Sequence, residues 1–417
     1  MKKRHLVGSL LLAAVVGFNG CKTIPPDSLS MCQKELRAND EYRRERASVL
    51  EMTLEEKIKL VEREIETNLV KLGKGLLLPL YSVSGKNSPS YLDNNLVLIS
   101  ALSAKYAVTK DPHTKEIADL IIQGIIEMDK LDGFDGYIPL EVDPASLKCT
   151  SEITHANSYD QLCFAYLHYT IKVGENPDIE KHFSKVYNMW ADNKFELKDK
   201  LGNLSDRANL NINLFEANPS RALSRQVLDS VAARLGDEQT KRRALKNKWK
   251  GVTFSQLRFD LGFVQIPTVS SSWLNMLKLN ILNECGQDYK KELVSLAKDY
   301  ADMKNPFFQI LAYTADKNVD LSFVEQRLHE YPYPINDRLV VNSHRKDIEF
   351  RSKRYFKNIA RTEVKTALPL YEISTDYNLW KRNLLEADKQ ASKEGRKYFG
   401  VDLLQAYWFY EAIKKTK

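Results

Sequence analysis

The chain has 417 residues, 43% apolar and 28% charged, enough to bury a sizeable core as one large or two medium domains. With 17 glycines and 14 prolines it is poor in turn formers, which argues for long helices and against a sandwich of many short strands. The net charge of +7 falls to +4, 59 bases against 55 acids, once Lys2, Lys3 and Arg4 are set aside with the leader described next; so mild a balance implies no nucleic-acid partner.

The first 21 residues hold a basic start, an apolar run over residues 6–18, and then Gly20 and Cys21. The run falls short of the roughly 17–25 apolar residues of a membrane span and reads as a signal peptide. Gly20 before Cys21 resembles the lipobox of bacterial lipoproteins, and the resemblance implies that Cys21 is acylated as the new N-terminus. Phe18 and Asn19 stand where that motif has a small aliphatic and a small residue. The competing reading is an ordinary secretory signal with an incidental cysteine. Lys22 lacks the acidic character of an inner-membrane retention signal, which points to the outer membrane of a bacterial envelope. The expected organisation is a signal peptide over 1–20, a lipidated cysteine and tether over 21–50, and one domain over 51–417. An exported chain permits disulfides among Cys32, Cys149, Cys163 and Cys285, and the three possible pairings stay open. Scattered histidines and the lack of a CxxC argue for no metal, and no cofactor motif stands out.

Along the domain, helical spacing recurs. Thr53 and Glu56 form a T-x-x-E capping box opening a helix over 53–72. A loop, YSVSGKNSPS, leads to a helix over 91–109 that is apolar on two faces and therefore expected to be well buried. A third helix carries Ile117, Leu120, Ile121, Ile125 and Met128. Further helices are predicted over 160–173, from Pro177 to about residue 193, from Pro219, and over 267–283, 289–303, 306–314, 320–329 and 400–415. Residues 195–218 are polar and Asn-rich and read as loop, while 241–250 and 339–365 are basic. Eleven or twelve helices, joined alternately by short turns and long loops, must form a ring or a double layer.

The stretch 131–161 sits between two helical segments and reads as irregular. It gathers Asp132, Asp135, Glu141, Asp143, Glu152 and His155 with the aromatics Phe134 and Tyr137. A long loop between packed helices is costly to order and is usually functional or disordered, and this composition marks it as a pocket rim.

YLDNNLVLISALSAKYAVTKDP, with DGFDGYIPLEV followed by NSYDQLCFAYLHYTI, resembles the helix-and-turn units of α/α-toroid proteins, the six-hairpin glycosidase-like group; LPLYEISTDYNLWKRNLL and FGVDLLQAYWFYEAI look like its closing elements. The resemblance runs from about Tyr91 to the C-terminus. It implies an all-α fold, an α/α toroid of helical hairpins, and says less about reaction because fold does not fix function.

Glycoside hydrolysis needs two opposed carboxylates, and the catalytic candidates are Asp93, Asp135, Asp143 and Asp160. Asp93 and Asp160 stand at predicted helix starts, where an acid also simply caps free N–H groups, and Asp135 and Asp143 lie where Asp makes local turns. Substrate-binding candidates are Tyr137, Glu141, His155, Tyr159, Trp380 and Arg382, since aromatic faces stack on sugar rings and Arg grips hydroxyls or carboxylates. A polysaccharide lyase would instead use His155, Asn157 and Tyr159 with cations such as Arg221, Arg225 or Arg382. The expectation is therefore a lipid-anchored envelope protein with a carbohydrate-active toroid and a glycan partner. The alternative is a non-catalytic scaffold lipoprotein. Opposed carboxylates over an aromatic-lined cleft favour the first, and a pocket plugged by side chains favours the second.

Overall fold

A computed structural model of the chain describes residues 52–79, 81–82, 90–131, 136–143, 146–149, 156–198, 204–210, 219–247, 269–299, 306–329, 396–397 and 401–416. Cys21, Cys32 and the signal peptide expected over 1–20 lie outside these residues, as do the candidates Asp135, His155, Trp380 and Arg382 and the basic stretch 339–365.

Twelve helices are present among the described residues. In chain order they are α1 (Leu54–Asn68), α2 (Leu92–Thr109), α3 (Pro112–Leu131), α4 (Ala156–Lys172), α5 (Pro177–Asp192), α6 (Pro219–Leu235), α7 (Glu238–Asn247), α8 (Val269–Glu284), α9 (Lys290–Asp299), α10 (Pro306–Ala315), α11 (Val324–His329) and α12 (Val401–Lys414). Their packing closes a ring. Each even-numbered helix from α2 to α12 packs on the next, α12 packs on α2, and α4 also meets α8 across the ring. Odd-numbered helices lie on the outside: α3 backs α2, α7 backs α6, α9 backs α8 and α10, and α1 backs α12. This is an α/α toroid of six hairpins, and the sequence pattern anticipates it. Inner helices such as α2 and α4 are buried on nearly every side, whereas α1 and α5 bury a single stripe.

Cross-helix bonds fix the direction of the inner helices. Near the starts, Ser224 of α6 donates to Asp160 of α4 at 2.8 Å. Near the ends, His168 of α4 meets Asn280 of α8 at 3.0 Å, and Asn280 donates to Thr314 of α10 at 3.1 Å. Early residues meet early residues and late meet late, so the inner helices run parallel. Their starts lie at one end of the ring, the mouth, and the short turns that follow them at the other.

The chain closes the ring with its own two ends. Trp408 Nε1 of α12 donates to Glu62 of α1 at 2.9 Å, and Lys105 of α2 pairs with the same carboxylate at 3.0 Å. Lys57, fully buried in α1, donates to the carbonyl of His329, whose ring reaches the Met52 carbonyl at 2.7 Å.

The structure corrects several expected boundaries. The helix expected over 53–72 ends at Asn68 and gives way to a hairpin of β1 (Val70–Leu72) and β2 (Gly75–Leu77). A left-handed Gly73 (φ +57°) turns it, and Gly75 lies flat against Gly124 of α3, where an added Cβ would stand 1.9 Å from a backbone nitrogen. The capping box forms as read: Thr53 N–H donates to Glu56 at 2.8 Å, and Thr53 Oγ1 accepts from the Glu56 N–H at 3.2 Å. β3 (Tyr81–Ser82) pairs with a late strand met near residue 396. The polar stretch 195–218, expected as loop, contains a hairpin of β7 (Glu196–Lys198) and β8 (Leu204–Asn209), and most of the basic 241–250 is helical as α7. No disulfide forms among Cys149, Cys163 and Cys285. No helix among the described residues is long and apolar enough to cross a membrane.

Candidate functional site

Of residues 131–161, the described residues 136–143 and 146–149 border the mouth. α4 begins at Ala156, four residues before the helix start expected at Asp160, so Tyr159 is a helical rather than a loop residue. Within the stretch, β5 (Glu141–Asp143) pairs with β4 (Ser90–Tyr91) on one side and β6 (Lys148–Cys149) on the other. Tyr91 opposes Glu141, and the Leu92 N–H donates to the Leu140 carbonyl at 2.9 Å. The stretch is thereby stitched to the residues immediately before Asp93, which lies buried in the first turn of α2.

A single glycine anchors the stretch from three helices. Gly136 adopts φ +84°, and a Cβ there would stand 2.7 Å from the Lys185 carbonyl of α5, so the backbone can seat only a glycine. Its N–H donates to Asp129 of α3 at 2.8 Å, and its carbonyl accepts from the Tyr159 hydroxyl of α4 at 3.4 Å. The same hydroxyl accepts from the Ile138 N–H at 3.3 Å. Asp129 is held in turn by Lys185 at 3.0 Å, with His182 at 3.6 Å; the Tyr166 hydroxyl meets the other ring nitrogen of His182 at 2.8 Å. Burial pushes His182 down to about 3, so it is neutral, while Lys185 brings a cation to Asp129. Tyr159, read from sequence as a substrate contact, is placed beneath the stretch with its ring edge-on to Trp190. Tyr137 is half-buried against the core, and Asp143 closes a local turn, accepting from Ser146 Oγ at 2.6 Å.

Asp160 sits differently from an N-cap. It is the fifth residue of α4, with its side chain turned into the ring. Ser224 Oγ donates to its Oδ2 at 2.8 Å, and Lys278 of α8 reaches the same oxygen at 3.3 Å. Three inner helices thus meet at one carboxyl. Burial pushes the Asp160 carboxyl above the ordinary range, while Lys278 and the Ser224 hydroxyl pull it back down. A buried ion pair is a poor device for stability, since desolvation offsets most of the attraction, so its presence here asks for another reason. One turn deeper on α4, Phe164 packs on Phe409 of α12 (5.7 Å) and Phe307 of α10 (6.3 Å), and His168 lies 4.2 Å from Phe164. These aromatics come from helices on opposite sides of the ring and fill its axis below Asp160. Burial takes His168 down to about 3, and it too is neutral.

Of the sequence candidates, the structure brings Asp93, Glu141 and Asp160 to the mouth on α2, β5 and α4. It adds Lys278 and Ser224, which sequence reasoning missed. Lys278 had a signal: it is the one charge in the otherwise apolar or amide-bearing run LNMLKLNILN. Ser224 had none. Among the described residues no three His, Cys, Asp or Glu side chains gather as a metal-binding group. The arrangement can donate hydrogen bonds to a polar ligand, accept them, and hold a proton on a carboxyl.

No protein-family model matches the chain, and no curated protein matches it. Among solved structures, a sugar epimerase from a ruminal bacterium is similar at 12% identity and a TM-score of 0.41, over 65% of this chain and 82% of that one. The cellobiose 2-epimerase of Spirochaeta thermophila is similar at 10% identity and a TM-score of 0.39, over 86% and 98%. Likenesses of this extent decide neither fold nor activity, and the ring stands on its own helix contacts.

Proposed function

We propose that the chain is an envelope lipoprotein whose toroid binds a saccharide at the mouth and acts on it there. The observation that carries the reading is the buried Asp160–Ser224–Lys278 cluster, contributed by three inner helices at the end of the ring where those helices start. A ring evolved for stability alone would place apolar side chains at this point. Asp93 on the neighbouring α2 supplies a second buried acid at the same end, and the aromatic layer around Phe164 supplies an apolar floor of the kind on which sugar rings stack. Asp160 and Asp93 are the proposed reacting carboxyls, and Glu141 and Tyr137 belong to the rim. Trp380 and Arg382 remain proposed rim residues on sequence grounds, as Cys21 remains the proposed site of acylation.

The scaffold reading rests on a different observation. The packed Phe164, Phe307, Phe409 and His168 close the axis of the ring, as a filled core would. The two readings part on a glycan array and a reducing-sugar assay run with the purified chain and with Asp160→Asn. Binding or turnover that the substitution abolishes supports the saccharide reading, and a folded protein that captures no glycan removes it. Metabolic labelling with a palmitate analogue, lost in Cys21→Ser, tests the anchor.

A further inference from the structure

The two charges at the centre of the cluster answer each other. Lys278 and Asp160 stand 3.3 Å apart with side chains 1% and 3% exposed. What surrounds them is polar, buried and neutral. Ser158 Oγ, Gln161 Oε1 and Asn275 Oδ1 are buried atoms with no hydrogen-bond partner. Ser158 and Gln161 belong to the same turn of α4 as Asp160, and Asn275 stands one turn before Lys278 on the same face of α8. Gln161 lies half a turn around α4 from Tyr159, whose ring packs outward on Trp190 of α5, so Gln161 faces the axis of the ring. A buried polar group without a partner is costly, and three in one sector of one ring mark a place where the partner comes from outside the chain.

We infer, resting on the saccharide reading above, that this sector is a subsite for an uncharged polyhydroxylated ligand, a neutral sugar or polyol. Its hydroxyls bond to Ser158, Gln161 and Asn275, and to Asp160 through Oδ1, the oxygen that receives neither Ser224 nor Lys278. Hydroxyls suit the site because each both donates and accepts, as primary amides do. An anion does not suit it. Lys278 is already committed to Asp160, and Asp93, 6% exposed on the adjacent α2, adds a further carboxyl at the same end. A uronate or a phosphate would bring a third buried acid with no cation of its own.

Isothermal titration of the full chain tests this with glucose, galactose and mannose, their uronates and their 6-phosphates. The expected result is binding of at least one neutral sugar, with its uronate and 6-phosphate at least about tenfold weaker, because like charges brought together at a buried site are strongly penalised. Gln161→Leu and Asn275→Leu, shown folded by circular dichroism, should each weaken the neutral sugar by up to about tenfold, the effect of a lost neutral hydrogen bond. A charged derivative that binds as tightly as its neutral parent overturns the inference and leaves the saccharide reading standing, and this arm needs no variant. A neutral sugar whose affinity ignores both substitutions places the sugar elsewhere and also overturns it. If nothing in the panel binds, ordered water is the partner of these atoms, and the inference falls together with the reading beneath it.

Discussion

Replacing Lys278 with Met keeps an unbranched stem of similar shape and removes the charge that faces Asp160. At the observed 3.3 Å and an effective dielectric of about 20, the lost attraction is about 5 kcal/mol. Mutational experience with buried pairs broken on one side gives about 3–5 kcal/mol, in agreement. For a toroid of this size about 1–2 °C of Tm corresponds to each kcal/mol, so the expected loss near neutral pH is roughly 3–10 °C. The pH dependence gives a sharper test. Burial raises the Asp160 carboxyl in the folded state, and Lys278 is the strongest influence pulling it back. A carboxyl raised on folding contributes stability that is full below its unfolded value, about 3.9, and is lost as pH climbs through the folded value. Without Lys278 that folded value rises further, so the penalty grows with pH. The Tm gap between wild type and Lys278→Met should be small at about pH 4 and largest at about pH 8. Adding Asp160→Asn to Lys278→Met should recover part of the loss, because no charge then remains at the centre. A gap that stays constant with pH, or a double variant no better than the single, would refute the reasoning.

Asp129→Ala removes the acceptor of the Gly136 N–H, and a loss of about 1–3 kcal/mol is expected, with faster hydrogen exchange at Gly136 and Ile138 than at the helix centres. Gly124→Ala drives a Cβ to 2.1 Å from the Leu76 carbonyl, so despite the better helix propensity of Ala it should destabilise the fold by about 1–3 kcal/mol, read as a lowered Tm. Burial pushes the Cys163 thiol up, with Asp160 adding to the effect, so native-state alkylation at neutral pH should leave Cys163 unmodified when the labelled sites are mapped by mass spectrometry. Labelling of Cys163 at the rate of a free thiol would contradict its placement.

The helices were legible because their signals are local. Thr53 and Glu56 sit three apart and cap each other, and the two-faced apolar pattern of residues 91–109 marks α2 as an inner helix before any contact is known. The short strands were not legible, because pieces of two to six residues do not hold a period of two long enough to be read. The start of α4 was misplaced for a related reason. Asn157 and Ser158 are poor helix formers, and only Ser158 of the first three residues is buried, so neither propensity nor an apolar period marks the first turn. The candidate site divides along the same line. Asp93 and Asp160 are acids near helix starts and stood out, but the role of Asp160 depends on Ser224 and Lys278, 64 and 118 residues away in sequence. No periodicity reveals such a meeting.

The proposed saccharide site lies where the starts of the inner helices converge. Hydrogen exchange read by mass spectrometry, with and without a neutral sugar that binds, tests it most directly. The expected result is added protection confined to the first turns of α4, α6 and α8 and to residues 136–143. Protection confined to the opposite end of the ring, around the turns after Lys172 and Glu284, would contradict it.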